Sequence, residues 1–181
     1  AKETQVKNET AHLLKTINQG LPIVMFDRVA NDVLCDKVIV DDFEATYNAT
    51  KSLILEKRKH IAFISNITDL SVGKLREKGY LKALSETPGL KSVILNIGKV
   101  EDPQQKIKEF LQQHTNMDGI ISADSSSGII AINTALSLGL KVPKDISVIG
   151  YTSKAVSNHS VPRLTMIRQH AKDIGATAAQ V

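Results

Sequence analysis

Short apolar runs rich in β-branched residues alternate along this chain with longer segments of helical periodicity. The predicted strands that contain these runs fall at residues 23–26, 37–40, 61–64, 92–97, 119–121, 146–149 and 164–168. The segments with helical spacing fall at residues 8–19, 45–57, 73–85, 103–114, 126–138 and from 171 onward. Gly20 and Gly139 predict the ends of two of these helices, and Asp102, Pro103 and Gln105 predict a capping box at the start of the helix 103–114. Runs that are apolar throughout are typical of strands buried on both faces. The alternation therefore predicts an α/β fold of parallel sheets flanked by helices.

Polar side chains follow several of the predicted strands. In open α/β sheets, ligands bind outside the carboxyl ends of the strands, so these residues are candidate ligand contacts. They are Asp27, Arg28, the loop 65–71 with Asp69, Asp124 and Thr152. Arg76 joins them from the first turn of a helix, where it lies on the apolar side and needs a partner near the strand ends. An alternative is that acids and serines at these places serve only as turn and helix-capping residues, above all Asp124 beside three serines.

The charge and cysteine content limit the class of protein. A single cysteine, Cys35, excludes an internal disulfide and a cysteine-based metal cluster. The net charge is +4, and its densest run is residues 57–60, Lys-Arg-Lys-His. We interpret this run as a solvated helix end, with a nucleic-acid contact as the alternative. No apolar stretch is long enough to span a bilayer, and the polar start predicts no signal peptide.

Motifs for catalysis and cofactor binding are missing from the sequence. It contains no glycine pattern for a dinucleotide and no phosphate-binding loop. The serine-rich residues 124–128 lack the first glycine of a nucleophile elbow. The five histidines, including His159, show no metal-ligand spacing. We therefore expect a protein that is not an enzyme and has no cofactor and no metal site, while an enzyme on a similar fold stays open as an alternative.

In order and spacing, several segments resemble the effector-binding domain of the lactose-repressor/galactose-repressor (LacI/GalR) family of bacterial transcription regulators. They are Leu-Pro-Ile-Val-Met-Phe-Asp-Arg at 21–28, Val-Asp-Asp at 40–42 with the following helix, Ile-Ala-Phe-Ile at 61–64, Arg-Glu-Lys-Gly-Tyr-Leu-Lys-Ala-Leu at 76–84, Val-Pro-Lys-Asp-Ile-Ser-Val-Ile-Gly-Tyr at 142–151 and Pro-Arg-Leu-Thr at 162–165. The last two are the most specific, and they favour regulators over periplasmic sugar-binding proteins of uptake systems, the alternative that shares the fold.

The resemblance implies a fold, a site and partners. The family fold, of the periplasmic-binding-protein-like type I, has two Rossmann-like lobes with a sugar-like effector in the cleft between them. Arg76 matches the family's ligand-binding arginine, and Asp27 with Arg28 matches an Asp-Arg pair of sugar-binding relatives. Leu70, next to Asp69, falls on a variable pocket loop, and Val100 lies where some members place a lid. Implied partners are a second copy in a homodimer and operator DNA, bound in the cytoplasm through a helix-turn-helix absent from this chain, with no membrane contact.

The chain departs from the family pattern at three places. Asp124 stands where the family usually has Asn, and Thr152 stands where it usually has Asp. Threonine offers one hydroxyl where a carboxylate accepts from two donors, so this departure counts against a plain hexose or pentose, while a sugar or a sugar derivative stays the expected ligand class. The usual Gly-His before the central strand is Lys57-Arg58.

The resemblance also predicts how the chain divides between the lobes. Residues 1–58 and 164–181 match part of the amino-terminal lobe, and residues 59–163 match a nearly whole carboxyl-terminal lobe. The first strands of the amino-terminal lobe have no counterpart here. We therefore expect apolar surface to remain uncovered in the smaller part of the chain.

Overall fold

A computed structural model describes residues 9–98, 100–158 and 160–181, which form two parallel sheets and the helices around them. The strands are β1 (Val24–Phe26), β2 (Asp36–Val38), β3 (Ile61–Ser65), β4 (Val93–Asn96), β5 (Gly119–Ser122), β6 (Ser147–Tyr151) and β7 (Thr165–Ile167). The helices are α1 (Ala11–Asn18), α2 (Asp42–Leu55), α3 (Ser71–Ser85), α4 (Pro103–Gln113), α5 (Ser125–Ser137), α6 (Lys154–Ser157) and α7 (Ala171–Ala178). This architecture confirms the predicted α/β fold class.

The larger sheet has five parallel strands in the order β4-β3-β5-β6-β7. The chain adds β4 on one side of β3 and then crosses to the other side to form β5, β6 and β7. The strand order therefore reverses between β3 and β5, and a crevice opens at their carboxyl ends. Ser65 is the last residue of β3, and Ala123 directly follows β5, so both residues lie at this point of the sheet.

Helices cover both faces of the larger sheet because its central strands are apolar on both faces. Ala62 and Ile64 of β3 pack into a core with α4 and α5. Ile61 and Phe63, which point the opposite way, pack into a second core with α2 and α3. This confirms the prediction, made from the continuous apolar run, that β3 is covered on both faces.

Three helices end in the same hydrogen-bonded turn. In this Schellman motif the first residue past the cap adopts a left-handed conformation, and its N–H and the next one bond back to carbonyls of the last turn. Gly20 closes α1 and Gly139 closes α5, as predicted. Lys57 closes α2 with φ 66°, donating to the Ile54 carbonyl, while Arg58 donates to the Leu53 carbonyl.

The start of α4 confirms two of the three predicted capping features, the Asp102 cap and Pro103 in the first turn. Asp102 accepts a hydrogen bond from the Gln105 backbone N–H at 2.9 Å, and Pro103 occupies the first turn. The side chain of Gln105 donates to Glu109 at 3.0 Å, so it extends along the helix and does not turn back to the cap as a capping box would have it.

Two elements lie elsewhere than the sequence assigns them. Strand β7, predicted in the smaller lobe, is hydrogen-bonded to β6 as the last strand of the larger sheet. Helix α2, also predicted in the smaller lobe, packs on α3 and contacts β5 and β7. The assignment is wrong for these two elements because their buried faces match the larger sheet; the division into lobes as a whole stays a prediction.

The smaller sheet consists of β1 and β2, against which α7 packs through Ile174. Several large apolar side chains of this part are exposed, among them Leu34 at 94%, Phe26 at 57% and Ile39 at 55%. This agrees with the apolar surface that we expected there. None of the helices in the described part of the chain combines the length and apolar character that a membrane span requires.

Candidate functional site

A cavity of about 470 Å³ lies between the smaller sheet and the amino-terminal half of α3. Three kinds of side chain form its wall. The charged ones are Asp27, Asp32, Asp42, Asp69, Lys74 and Lys78; the neutral polar ones are Thr10, Asn31 and Ser71; the apolar ones are Val29, Ala30, Ile39, Val40, Val72 and Leu75. A cleft of this size with aliphatic walls and convergent polar groups suits a small polar ligand.

Three of the four acids on the wall reach the cavity because each follows a strand or opens a helix. Asp27 comes directly after β1 with φ 59°, a left-handed conformation that Asp tolerates better than most residues. Asp42 begins α2 soon after β2 ends, and Asp69 lies in the loop between β3 and α3. Each of the two parallel sheets presents the carboxyl ends of its strands at one edge, and residues that follow strands of both sheets meet at this cavity.

A buried ion pair joins Asp42, a residue of the wall, to Arg76 behind it. The Arg76 Nε donates to the Asp42 Oδ1 at 2.7 Å, and the two side chains are only 3% and 4% exposed. The Arg76 Nη1 donates to the Ala123 carbonyl, just past the end of β5, at 2.6 Å. Arg76 therefore finds its partners near the strand ends, as its position on the apolar side of a helix predicted.

Tyr151, at the end of β6, completes this network. Its ring lies 3.6 Å from the Arg76 guanidinium carbon, in a cation–π arrangement. Its hydroxyl donates to the Asp42 backbone carbonyl at 2.9 Å and lies 2.8 Å from the Thr46 hydroxyl. Burial raises the pKa of Tyr151 to about 12, so the phenol stays protonated and able to donate.

The network carries two signs of function. Burial raises the pKa of Asp42 above its ordinary value, and the charge of Arg76 opposes that rise. The Arg76 Nη2 is buried without a hydrogen-bond partner among the described residues. A buried unsatisfied donor costs about 1–3 kcal/mol, and such sites cluster where a protein binds or reacts.

Of the residues predicted from sequence, Asp27 and Asp69 line the cavity. Arg76 reaches it only through Asp42. Arg28 is exposed and pairs with Asp27, with 3.7 Å between its Nε and the Asp27 Oδ2. These four residues lie within one connected region of the molecule.

The other four predicted residues do not line this cavity. Leu70 is fully buried in the core shared with α2 and α3, and Val100 packs against the core on the opposite face of the sheet. Asp124 caps α5 by accepting from the Ser127 N–H at 2.9 Å, which is the capping role that the sequence left open. Thr152 is buried and donates to the Ser153 carbonyl at 3.4 Å. A ligand role for these four stays a prediction.

Sequence reasoning did not nominate Asp42. The signal was present, because Asp42 follows a predicted strand just as Asp27 does. Nothing local showed that its carboxylate would be buried against Arg76, 34 residues further along the chain. The lysines of the wall, Lys74 and Lys78, were missed because they occupy the polar face of a helix that looked solvated.

The basic run lies directly after α2, at a helix end as we predicted. Arg58 is not simply solvated, since its guanidinium donates to the carbonyls of Pro143 and Lys144 at 2.6 and 3.1 Å. It thereby ties the end of α2 to the turn before β6. Of the histidines, His159 falls outside the described residues. Within the part described, no three His, Cys, Asp or Glu side chains are grouped as a metal ion would require.

Residues 50–181 match the model of the periplasmic binding protein-like domain. The chain belongs to this family. Proteins similar to this chain include transcriptional regulators of the LacI family, which confirms the resemblance seen in the sequence. They include the transcriptional repressor PurR of Pasteurella multocida, which is 32% identical over 163 residues, a match that covers 88% of this chain and 48% of PurR.

Two further relatives agree. The transcriptional regulator RegA of Clostridium saccharobutylicum is 29% identical over 175 residues, covering 93% of this chain and 52% of RegA. The crystal structure of a LacI family transcriptional regulator from Mycobacterium smegmatis superimposes with a TM-score of 0.76 at 28% identity, covering 93% of this chain and 63% of that one. The chain thus spans about half the length of the curated relatives it matches.

Proposed function

We propose that this chain is the effector-binding domain of a LacI-type transcriptional regulator. In this proposal it is a sensor without catalytic activity, which acts in the cytoplasm. It binds a small polar molecule, a sugar or a sugar derivative, in the cavity beside Asp27, Asp42 and Asp69. The regulator works as a homodimer and binds operator DNA through a helix-turn-helix in another part of the protein.

The observation that carries the proposal is the cavity wall with the ion pair behind it. Three acidic residues from separate segments line a space of about 470 Å³, and one of them, Asp42, is paired with the partly satisfied Arg76. Carboxylates accept hydrogen bonds from hydroxyl groups, which is the chemistry that a polyhydroxylated ligand needs.

Two solved structures with the same fold support the ligand class. A LacI family regulator from Enterococcus faecium holds bound ribose, and the regulator CelR forms a complex with cellobiose. They are 22% and 24% identical to this chain, with TM-scores of 0.79 and 0.77, so the likeness itself extends to the fold alone. We extend the ligand class to this chain because its own cavity carries acceptors suited to hydroxyl groups.

The position of the cavity links ligand binding to the affinity of the regulator for operator DNA. The wall joins residues of the smaller sheet to α3 of the larger unit, so a ligand there contacts both. A ligand that binds the closed arrangement better than the open one shifts the population towards closure. In a dimer, closure changes the spacing of the DNA-binding segments and therefore the affinity for the operator.

A thermal-shift screen of the full-length protein with sugars and sugar derivatives tests this function. A ligand at 100 times its Kd should stabilise the fold by about 2.7 kcal/mol. The same ligand should change operator affinity in a gel-shift assay. Asp27→Asn should weaken binding about tenfold, because it removes a charged acceptor while Asn keeps the left-handed conformation.

The matched control is Asp36→Asn, which makes the same change at an exposed position of β2 away from the cavity wall. This variant should bind as the unaltered protein does. If no sugar or derivative stabilises the protein and none alters operator binding, the proposed function is wrong.

A further inference from the structure

A second groove, of about 450 Å³, lies at the end of the larger sheet opposite the candidate site. Residues 54, 57–60 and 87–90 line it, and we call it the basic groove. We infer that the basic groove is a docking surface for an acidic segment of a partner protein, which places a large apolar side chain on the floor of the groove. The inference goes beyond the proposed function and does not depend on the effector.

The ends of α2 and α3 position the basic groove. Residues 57–60 follow α2 and lead into β3, and residues 87–90 follow α3 and lead towards β4. The strands β3 and β4 are parallel neighbours, so both segments lie at the amino ends of their strands. The candidate site borders the other end of α3, at Ser71 and Val72. A helix of 15 residues is about 20 Å long, so the two sites are separate.

Positive charge without a matching acid lines the basic groove. Lys57 and Lys59 are exposed there, and no acidic residue among those described belongs to the lining. Within the described part of the chain, no carboxylate lies within ion-pair distance of either lysine ammonium group. Asp118 contacts this segment, but its carboxylate accepts the backbone N–H groups of Lys59 and His60 at 2.9 and 2.8 Å. The two lysines are therefore available to the carboxylates of a partner.

The floor of the basic groove is apolar. Ile54 and Leu90 are half-buried and pack against the core that α2 and α3 share, and Pro88, which also lines the groove, is exposed. An apolar centre inside a charged rim is the usual composition of a protein interface. The floor suits one large apolar side chain of a partner, while the lysines bind acidic residues on either side of it.

The same lining argues against nucleic acid, the alternative that the basic run left open. Single-stranded nucleic acid binds where its bases stack on aromatic side chains, and the described lining contains no Phe, Tyr or Trp. The phosphates of a duplex would bind the lysines and leave the apolar floor uncovered. An acidic protein segment uses both parts of the groove.

Hydrogen bonds fix the backbone around the basic groove before a partner binds. Lys57 adopts the left-handed conformation that closes α2, and Arg58 donates to the Pro143 and Lys144 carbonyls at 2.6 and 3.1 Å. A wall that is ordered in advance lowers the entropy cost of binding. A lysine in a conformation that favours glycine is also an outlier of the kind that clusters at functional sites.

Fluorescence anisotropy on the full-length protein tests this surface with a defined probe. The probe is a fluorescein-labelled peptide, Glu-Asp-Glu-Leu-Phe-Glu-Asp-Glu. One comparison peptide carries Ser-Ser in place of Leu-Phe, and a second carries Gln and Asn in place of Glu and Asp. We expect the probe to bind at least about tenfold more tightly than either comparison peptide, because each of them lacks one of the two features that the groove recognises.

Removing two lysine charges locates the binding. Lys57→Gln combined with Lys59→Gln should weaken binding of the probe at least about tenfold. The matched control is Lys106→Gln combined with Lys108→Gln, at two exposed residues of α4 that do not line the groove. The control removes the same net charge and should leave the affinity within about twofold of its original value. Circular dichroism checks that both double variants fold as the unaltered protein does.

Three results would each overturn the inference. They are no saturable binding of the probe up to about 1 mM, equal binding of the probe and either comparison peptide, and equal losses in the two double variants. A random-sequence DNA duplex gives a further comparison. If neutralising Lys57 and Lys59 weakens binding of the duplex as much as binding of the peptide, the groove is a nucleic-acid contact and the inference is wrong. None of these results bears on the sugar screen, so the proposed function is tested separately.

Discussion

At the residue scale, Lys57 stands out because it adopts a conformation that normally belongs to glycine. The helix ends closed by Gly20 and Gly139 have φ values of 78° and 80° at the same place in the motif, and Lys57 has 66°. Each L-residue in the left-handed region carries a strain of about 1–2 kcal/mol that glycine avoids. The related family segment has glycine at this position, so the lysine is a local cost of this sequence.

We expect Lys57→Gly to stabilise the protein by about 0.5–1 kcal/mol, which is the relieved strain less the extra entropy of glycine in the unfolded chain. Lys57→Ala serves as the control, since it removes the same charge without relieving the backbone. Unfolding in urea, monitored by circular dichroism, measures both. Equal stabilities of the glycine and alanine variants would show that the backbone at residue 57 is unstrained.

At the element scale, the packing of α2 against α3 depends on one glycine. A Cβ built on Gly79 would collide with the carbonyl oxygen of Phe43 and lie 2.9 Å from the Tyr47 nitrogen. Both atoms belong to the backbone of α2, so neither can rotate away. This close approach positions Asp42, at the start of α2, against Arg76 of α3.

Gly79→Ala should therefore destabilise the protein by about 2–4 kcal/mol, because the two helices must move apart. Gly175→Ala is the matched control within α7, where an added Cβ meets nothing within 4 Å. There the change should stabilise by about 0.5–1 kcal/mol through helix propensity. Thermal unfolding of the two variants should give shifts of opposite sign, and shifts of the same sign would contradict the packing described.

At the scale of the whole molecule, two buried tyrosines predict how stability depends on pH. Burial raises the pKa of both Tyr80 and Tyr151 to about 12, from an ordinary value of 10.0. The fold thus favours the protonated phenols. Their contribution to stability is complete below pH 10, the unfolded value, and is lost as the pH rises towards 12.

We expect the free energy of unfolding to fall by about 2–3 kcal/mol per tyrosine across that window. The variant Tyr151→Phe should lose about 1–2 kcal/mol at neutral pH with its hydrogen bonds to Thr46 and Asp42, and it should show a shallower alkaline fall. Urea unfolding at closely spaced pH values measures both effects. An unchanged alkaline slope in Tyr151→Phe would mean that Tyr151 titrates normally.

For the molecule as a whole, local sequence pattern predicted the secondary-structure elements but not how all of them pack together. The alternation of apolar runs and helical periods predicted the strands and helices, since side-chain spacing reflects the backbone period directly. The rule for strand ends predicted Asp27 and Asp69 at the cavity. Local pattern did not show that β7 belongs to the larger sheet or that α2 packs against that sheet. Such a pattern tells which face of an element is apolar, but not which surface covers that face.

By its own pattern the sequence determined the α/β class, the glycine helix ends at Gly20 and Gly139, and the family to which the chain belongs. Each of these depends on neighbours within a few residues or on ordered motifs. Only the tertiary structure decided that Asp42 and Arg76 form a buried pair beside the cavity. The physical reason is that the 2.7 Å contact exists only once strand order and helix packing bring two distant helix starts together.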